Sequence, residues 1–351
     1  MEKKETIEKM WYENPAKGRE WYQWFFDNVY EDDEAMLLVK NGSPVSSMLL
    51  QKYVFRYCGR DLSCAYIAGA TTPRQLRARG YMSELMRQAV GECYARGDVF
   101  ASLIPAHDSL YFYYDRFGFA TVVYVDVERY TSLHEFTDSG GFSAVDVDYE
   151  ILHYLETLRD ASIIHTPAQW KHIMDNLSLC GGYACAVADA AGLPAALAVA
   201  SEHGGEIIVR FLACPEGSTS PAADKVLSMV REHFGKKPFE VWASPGMVPT
   251  NPRLRARGMM RIIDAQAVFS ALAEANPSMQ QVIALHDPLI TANNGYYIIR
   301  GGECRMTDST MRPVTLNVDI STMTSILFSS PQIGSVFGIS SCRPSLDLML
   351  D

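Results

Sequence analysis

The 351-residue chain has no uninterrupted apolar segment long enough to cross a bilayer. Its most apolar stretch, 183–200, is broken by Asp189, Gly192 and Pro194, which predicts a hairpin rather than a membrane helix. The opening residues Met1-Glu2-Lys3-Lys4-Glu5 are charged and lack the apolar core of a secretion signal. Cysteines at metal-binding spacing are missing too. The eight that exist are scattered, Cys180 and Cys185 being the nearest pair, so they read as reduced, buried thiols of a cytoplasmic protein with no metal site. No low-complexity tract predicts disorder. Positive charge is in deficit, 31 Lys and Arg against 41 Asp and Glu for a net charge of −10, which argues against nucleic acid as a partner. The acidic run Glu31-Asp32-Asp33-Glu34 reads as a solvated loop. What is present in quantity is apolar surface: 48% of residues, over a length that predicts two or three domains.

The most informative segment is Tyr66-Ile67-Ala68-Gly69-Ala70-Thr71-Thr72-Pro73-Arg74-Gln75-Leu76-Arg77-Ala78-Arg79-Gly80-Tyr81-Met82. A strand of β-branched and small residues runs into an arginine-rich turn and then into a predicted helix, 81–96. Main-chain N–H groups at a helix start are unpaired and carry partial positive charge, so such a turn suits a diphosphate. Arg77 and Arg79 add charge, and Gly80 permits close approach to the main chain. The plain alternative is a basic, solvated helix start. A near repeat, Asn251-Pro252-Arg253-Leu254-Arg255-Ala256-Arg257-Gly258-Met259-Met260, leads into what looks like a strand at 261–264, with no helix start to receive phosphates, and reads as a surface turn.

After the first helix come a strand at 99–104, Pro105-Ala106-His107-Asp108, and Ser109-Leu110-Tyr111-Phe112-Tyr113-Tyr114-Asp115-Arg116-Phe117-Gly118-Phe119. This order, with Arg77-x-x-Gly80-x-Met82 and Tyr114-x-x-Phe117-Gly118-Phe119, resembles the acetyl-CoA-binding half of GNAT acetyltransferases. It departs from the pattern at Met82, where the family carries a small residue. Helix 18–30 and strands at 35–40, 46–57 and 62–72 precede it, the helix bearing an aromatic face of Trp21, Trp24, Phe25, Phe26 and Val29 that reads as core or channel wall. From 143 to 262 the order repeats without a phosphate motif: helices 149–159 and 167–176, strands 183–188, 195–200 and 206–214, helix 222–234 and strand 239–243. A third part follows, with Asp287-Pro288, Asn294-Gly295-Tyr296-Tyr297-Ile298, a strand pair turning at Gly301-Gly302, Val314-Thr315-Leu316-Asn317-Val318, and Asp319-Ile320-Ser321 opening a helix. The three-part order resembles the Eis-type (enhanced intracellular survival) acetyltransferases, which end in a sterol-carrier-like domain. The expected fold class is mixed α/β: a GNAT domain at 1–135, a degenerate second GNAT-like domain at 136–262, and a sterol-carrier-like domain at 263–351.

The resemblance implies an acyl-CoA N-acyltransferase that moves acetyl from acetyl-CoA directly to a primary amine of a small cationic or peptide substrate, in a homo-oligomer, as a hexamer in that family. The negative net charge is compatible with attracting such an amine. By the same resemblance, Ala70, Thr71 and Thr72 meet the pantetheine arm, and the main chain of Arg77, Ala78, Arg79, Gly80, Tyr81 and Met82 holds the diphosphate. Tyr114 matches the family's general acid. A phenol of pKa about 10 can donate to a departing thiolate whose conjugate pKa is about 8.5; the other reading of Tyr114 is a core aromatic. Tyr113 is expected to point away, and His107 to be merely exposed. The terminal carboxylate, here on Asp351, matches the family's base or proton relay, and the apolar residues before it suggest a docked tail, which is also a sufficient reading by itself. The competing function is a non-catalytic CoA- or lipid-binding protein using an apolar groove in the last part, where Met306, Met311 and Met323 fit a groove or an ordinary core.

Overall fold

The computed structural model describes residues 2–13, 17–137, 140–215, 220–244 and 253–350. In chain order the elements are α1 (Lys3–Tyr12), α2 (Arg19–Asn28), β1 (Ala35–Lys40), β2 (Ser43–Tyr57), β3 (Arg60–Thr71), α3 (Tyr81–Ala95), β4 (Phe100–Leu103), α4 (Ser109–Asp115), β5 (Ala120–Tyr130), β6 (Ser143–Val145), α5 (Tyr149–Thr157), β7 (Ser162–Ile164), α6 (Pro167–Leu179), β8 (Tyr183–Ala188), β9 (Pro194–His203), β10 (Glu206–Ala213), α7 (Pro221–His233), β11 (Phe239–Ala243), β12 (Arg253–Ile262), α8 (Ala265–Ala275), β13 (Gln281–His286), β14 (Gly295–Arg300), β15 (Glu303–Thr307), β16 (Leu316–Asp319), α9 (Ile320–Leu327) and α10 (Pro331–Val336). No helix among the described residues is long and apolar enough to cross a membrane. The expected mixed α/β architecture, sheets flanked by helices, is what the chain adopts.

By its contacts the chain forms two units: residues 1–122 with 258–343, and residues 123–257 with 344–350. In the first unit the strand order is β1-β2-β3-β4-β12, with a separate sheet β15-β14-β13-β16. Strand alternation decides what each face meets. Met48 and Leu50 of β2 and Ala65 and Ile67 of β3 pack with Leu85, Met86, Ala89 and Val90 of α3. The 258–343 segment shares core with the rest of its unit: Phe328 packs ring to ring on Phe55, Tyr57 and Phe100 at 5.8, 5.7 and 5.6 Å. The methionines of this part divide. Met323 is fully buried, whereas Met311 is fully exposed.

In the second unit the order is β5-β11-β10-β9-β8-β6. Here β10, α7 and β11 form a parallel crossover like that of β3, α3 and β4. The two helix starts differ. Ser220 caps α7 with its own hydroxyl, and Pro221 follows with no N–H to give, so this copy offers little to a phosphate. The hairpin expected at 183–200 forms as β8–β9. The tail residues belong to this unit: Ser345 N–H donates to Ala161 O at 2.9 Å, Asp347 meets Arg159 at 2.8 Å, and Leu346, Leu348, Met349 and Leu350 are buried.

Three expectations need correction. The arginine-rich repeat is strand β12 over its described residues, not a surface turn, while Asn251 and Pro252 lie outside the described residues. Arg255 and Arg257 lay their guanidiniums over Trp242 at 5.2 and 5.7 Å, which is how a basic run is accommodated in a sheet. None of the eight cysteines forms a disulfide, but only Cys64, Cys93, Cys185 and Cys214 are buried; Cys180 is exposed. Tyr113 does not point away: it is half-buried, and its hydroxyl lies 3.4 Å from Ser83 Oγ.

Candidate active site

The site is built where β3 leaves its neighbour. β3 pairs in parallel with β4 at Cys64–Phe100, Ala65–Ala101 and Tyr66–Ser102, and the ladder stops there. β3 itself continues to Thr71. The β4-facing edge of residues 67–71 therefore keeps its main-chain N–H and C=O groups for another partner. On the opposite edge β2 holds β3 in register from Tyr57–Arg60 to Leu49–Ala68, then at Ser47–Thr71, which leaves Met48 across from both Gly69 and Ala70. This two-against-one bulge lies on the free segment. Gly69 is at φ +58°, and the space its side chain would need is filled by Trp11, whose Cζ2 lies 1.8 Å from an ideal β-carbon.

Beyond β3, Thr72 is fixed by Ser46, with the two hydroxyl oxygens 2.7 Å apart. Arg77 Nε donates back to Thr72 O at 3.1 Å, so this guanidinium helps fold the turn. A single 3-10 turn at Arg74–Leu76 is followed by Ala78 at φ +60° and Gly80 at φ +82°. Gly80 is the N-cap of α3: its carbonyl accepts from Glu84 N at 3.0 Å, and no side chain caps the helix. Residues 77–80 are exposed. The first turn of α3 thus presents uncapped N–H groups to solvent, the reverse of the Ser220-capped α7. Met82 is half-buried and packs on the α3 core.

Tyr114 sits on α4 with its ring in that same core, near Tyr113 at 5.2 Å and Phe119 at 6.3 Å between centroids. Burial, with a smaller contribution from Tyr113, pushes its phenol up to about 12. Among the described residues no protein group hydrogen-bonds the Tyr114 hydroxyl, whereas Tyr113 has Ser83. The structure therefore brings the 70–82 segment, α3 and Tyr114 together in one unit. Asp351 lies outside the described residues. His107 is exposed, as expected, and the run 31–34 forms a turn whose first three residues are exposed. A cavity of about 570 Å³ in this unit is lined by Lys3, Thr6, Asp33, Glu34, Glu92 and Arg96 among others and touches none of these groups. An open strand edge is a groove, which cavity volume does not capture. No cluster of His, Cys, Asp or Glu suited to a metal occurs among the described residues.

The comparisons with known proteins meet this geometry at its sequence. Residues 6–122 match the family model described as an acetyltransferase (GNAT) domain. The chain carries a GNAT acetyltransferase domain. With that domain goes its enzyme class, acyl-CoA N-acyltransferase, and the use of acetyl-CoA. The matched residues end where the first unit's opening segment ends, and they contain the free β3 edge, the α3 start and Tyr114. No curated protein matches the sequence. Solved structures resemble the GNAT-domain chain over its whole length. A probable N-acyltransferase of unknown function from Enterococcus faecalis has TM-score 0.78 and 13% identity, covering 99% of this chain and 96% of that one. A GCN5-related N-acetyltransferase from Anabaena variabilis has TM-score 0.73 and 14% identity over 98% and 94%. Eis1 from Mycobacterium abscessus has TM-score 0.69 and 14% identity over 97% and 95%. At these identities the likeness is one of fold.

Proposed function

We propose that the chain transfers acetyl from acetyl-CoA to a primary amine of a small cationic or peptide substrate. The observation that supports this most is the parting of β3 from β4, with a bulge on the free edge and an uncapped, glycine-started helix at its end. The amide groups of a pantetheine arm can pair along Ala70, Thr71 and Thr72 as an added strand would. The diphosphate then meets the N–H groups from Arg77 to Met82, where the helix start favours negative charge. Tyr114 donates the proton that the departing thiolate takes up. Asp351, through its terminal carboxylate, accepts or relays the proton the amine must lose. Acetyl-CoA supplies the activated acyl group; this chain's part is to bind, orient and move protons.

In the same reading, residues 263–351 form a sterol-carrier-like part, 136–262 a degenerate second GNAT-like part, and the enzyme works as a cytoplasmic homo-oligomer. Titration calorimetry with acetyl-CoA should show micromolar binding, and thiol release across a panel of polyamines, aminoglycosides and peptides should show turnover. Gly80→Val is expected to weaken acetyl-CoA binding about tenfold, because a left-handed residue with a branched side chain costs roughly 1–2 kcal/mol and the turn relaxes away from its binding shape. Unchanged affinity in that variant would move the diphosphate elsewhere.

A further inference from the structure

Trp11 is the large buried side chain that the acyl-transfer site leaves unexplained. It lies in the last turn of α1 and is 6% exposed, held by Tyr22, Phe25 and Phe26 at centroid distances of 5.9, 5.2 and 5.1 Å. Its indole N–H is buried and has no hydrogen-bond acceptor among the described residues. Leaving such a donor unpaired costs roughly 1–3 kcal/mol, so an unpaired indole asks for a partner that binding brings.

The place of that N–H is known from Gly69. The indole atoms nearest the Gly69 side-chain position are Cζ2 and Cε2, at 1.8 and 2.6 Å, and Cε2 is the carbon bonded to Nε1. The orphan donor therefore lies at the β3 bulge, on the segment whose edge has parted from β4. A pantetheine arm that starts at the α3 end and runs back along Thr72, Thr71 and Ala70 brings its thioester to the level of Gly69.

We propose that Trp11 Nε1–H donates to the carbonyl oxygen of the bound acyl thioester and stabilises the charge that develops there; this rests on the acetyl-CoA reading of the site. The amine lone pair forms the C–N bond, and the carbonyl pair moves onto the oxygen facing Trp11. That pair returns as the C–S bond breaks, the sulfur leaves with the bonding electrons and takes the Tyr114 proton, and the nitrogen gives up its proton to the base. A fixed donor that is itself shielded from water needs no reorganisation as charge appears, and removing one such donor costs about 10²-fold in kcat.

The test uses the full chain and two unreactive analogues: acetonyl-CoA, which keeps a carbonyl, and S-ethyl-CoA, which has none. Trp11 is one of five tryptophans, so its 15N-indole resonance can be assigned by its loss in Trp11→Phe or, should that variant not fold, by proton contacts to Gly69. Its indole proton is expected to shift downfield with acetonyl-CoA and to stay with S-ethyl-CoA, and Trp11→Phe is expected to lose about 10²-fold in kcat with acetyl-CoA affinity kept. Equal shifts with both analogues, both being bound, would overturn the assignment of Trp11 alone. Failure of either analogue and of acetyl-CoA to bind would overturn the cosubstrate reading and this inference with it.

Discussion

Tyr114→Phe is expected to lower kcat by about 10²-fold while leaving acetyl-CoA affinity and thermal stability close to those of the parent. The ring would keep its packing against Phe119 and the α3 core, so only the hydroxyl is lost. If Tyr114 were merely a core aromatic, that hydroxyl would have no role in turnover, and the variant would work as well as the parent. Its environment keeps the phenol protonated, able to donate a hydrogen bond to the sulfur as charge builds there, while burial makes it a weaker acid. Burial raises the phenol to about 12, so it holds its proton throughout the pH range in which the enzyme can be assayed. A group whose pKa is raised loses its proton only above that value. The pH profile of kcat should therefore climb as the amine or its base deprotonates and then stay level, with no alkaline fall from Tyr114 below about pH 11. Thiol-release rates from pH 6 to 10 for parent and variant measure both effects. A fall near pH 9 that disappears in the variant would keep the phenol as the acid but show that burial does not raise its pKa. Tyr113, half-buried and within 3.4 Å of Ser83 Oγ, is the control: Tyr113→Phe should lower kcat far less.

Much of this architecture was legible because local signals agreed with tertiary ones. The strand-turn-helix of 66–82 carries its own punctuation in Pro73 and Gly80, and the tail helix is announced by Asp319, whose carboxylate does accept from Thr322 N–H at 2.7 Å. β12 was misread because its arginines suggested solvent, and what they meet, the face of Trp242, is distant in sequence. α8 was missed although its signals are local: Ala265, Val268, Phe269 and Leu272 fall at helical spacing, and Asp264 caps its start. At the candidate site, the arginine-rich turn and Tyr114 stood out as motifs. Trp11 did not, because nothing in its own neighbourhood says that it fills the space over Gly69; a positive-φ glycine in a strand and an indole 58 positions earlier become related only through the packing of α1 on β3. The direction of Tyr113 was missed on similar grounds, since its partner Ser83 lies one crossover away.

Asp287→Ala is expected to produce a large loss of stability, about 3–5 kcal/mol, seen as a fall in Tm of about 10 °C. Arg261 and Asp287 are both fully buried, and Arg261 Nη2 donates to the two carboxylate oxygens at 2.7 and 2.8 Å. The carboxylate also accepts from Leu289 N, Ile290 N and Asn293 Nδ2 at 2.9, 3.1 and 2.9 Å, and Asn293 in turn donates to Ile263 O. Removing it would strand a buried guanidinium whose Nε and Nη1 already have no acceptor among the described residues. Burial pulls the Arg261 pKa down while Asp287 opposes that pull through charge and hydrogen bonding, with a smaller contribution from Cys93, so the variant would hold a cation with little left to balance its desolvation. Desolvation makes the pair itself a weak stabiliser, and the cost comes from breaking it. The double variant Arg261→Met with Asp287→Leu should accordingly recover most of the loss, although the Leu289, Ile290 and Asn293 donors would remain unpaired and keep it below the parent. Urea unfolding of the three proteins separates the cases. A loss below about 1 kcal/mol in Asp287→Ala would mean that water reaches Arg261 once the carboxylate is gone, and that this corner of the core is less dry than its packing indicates.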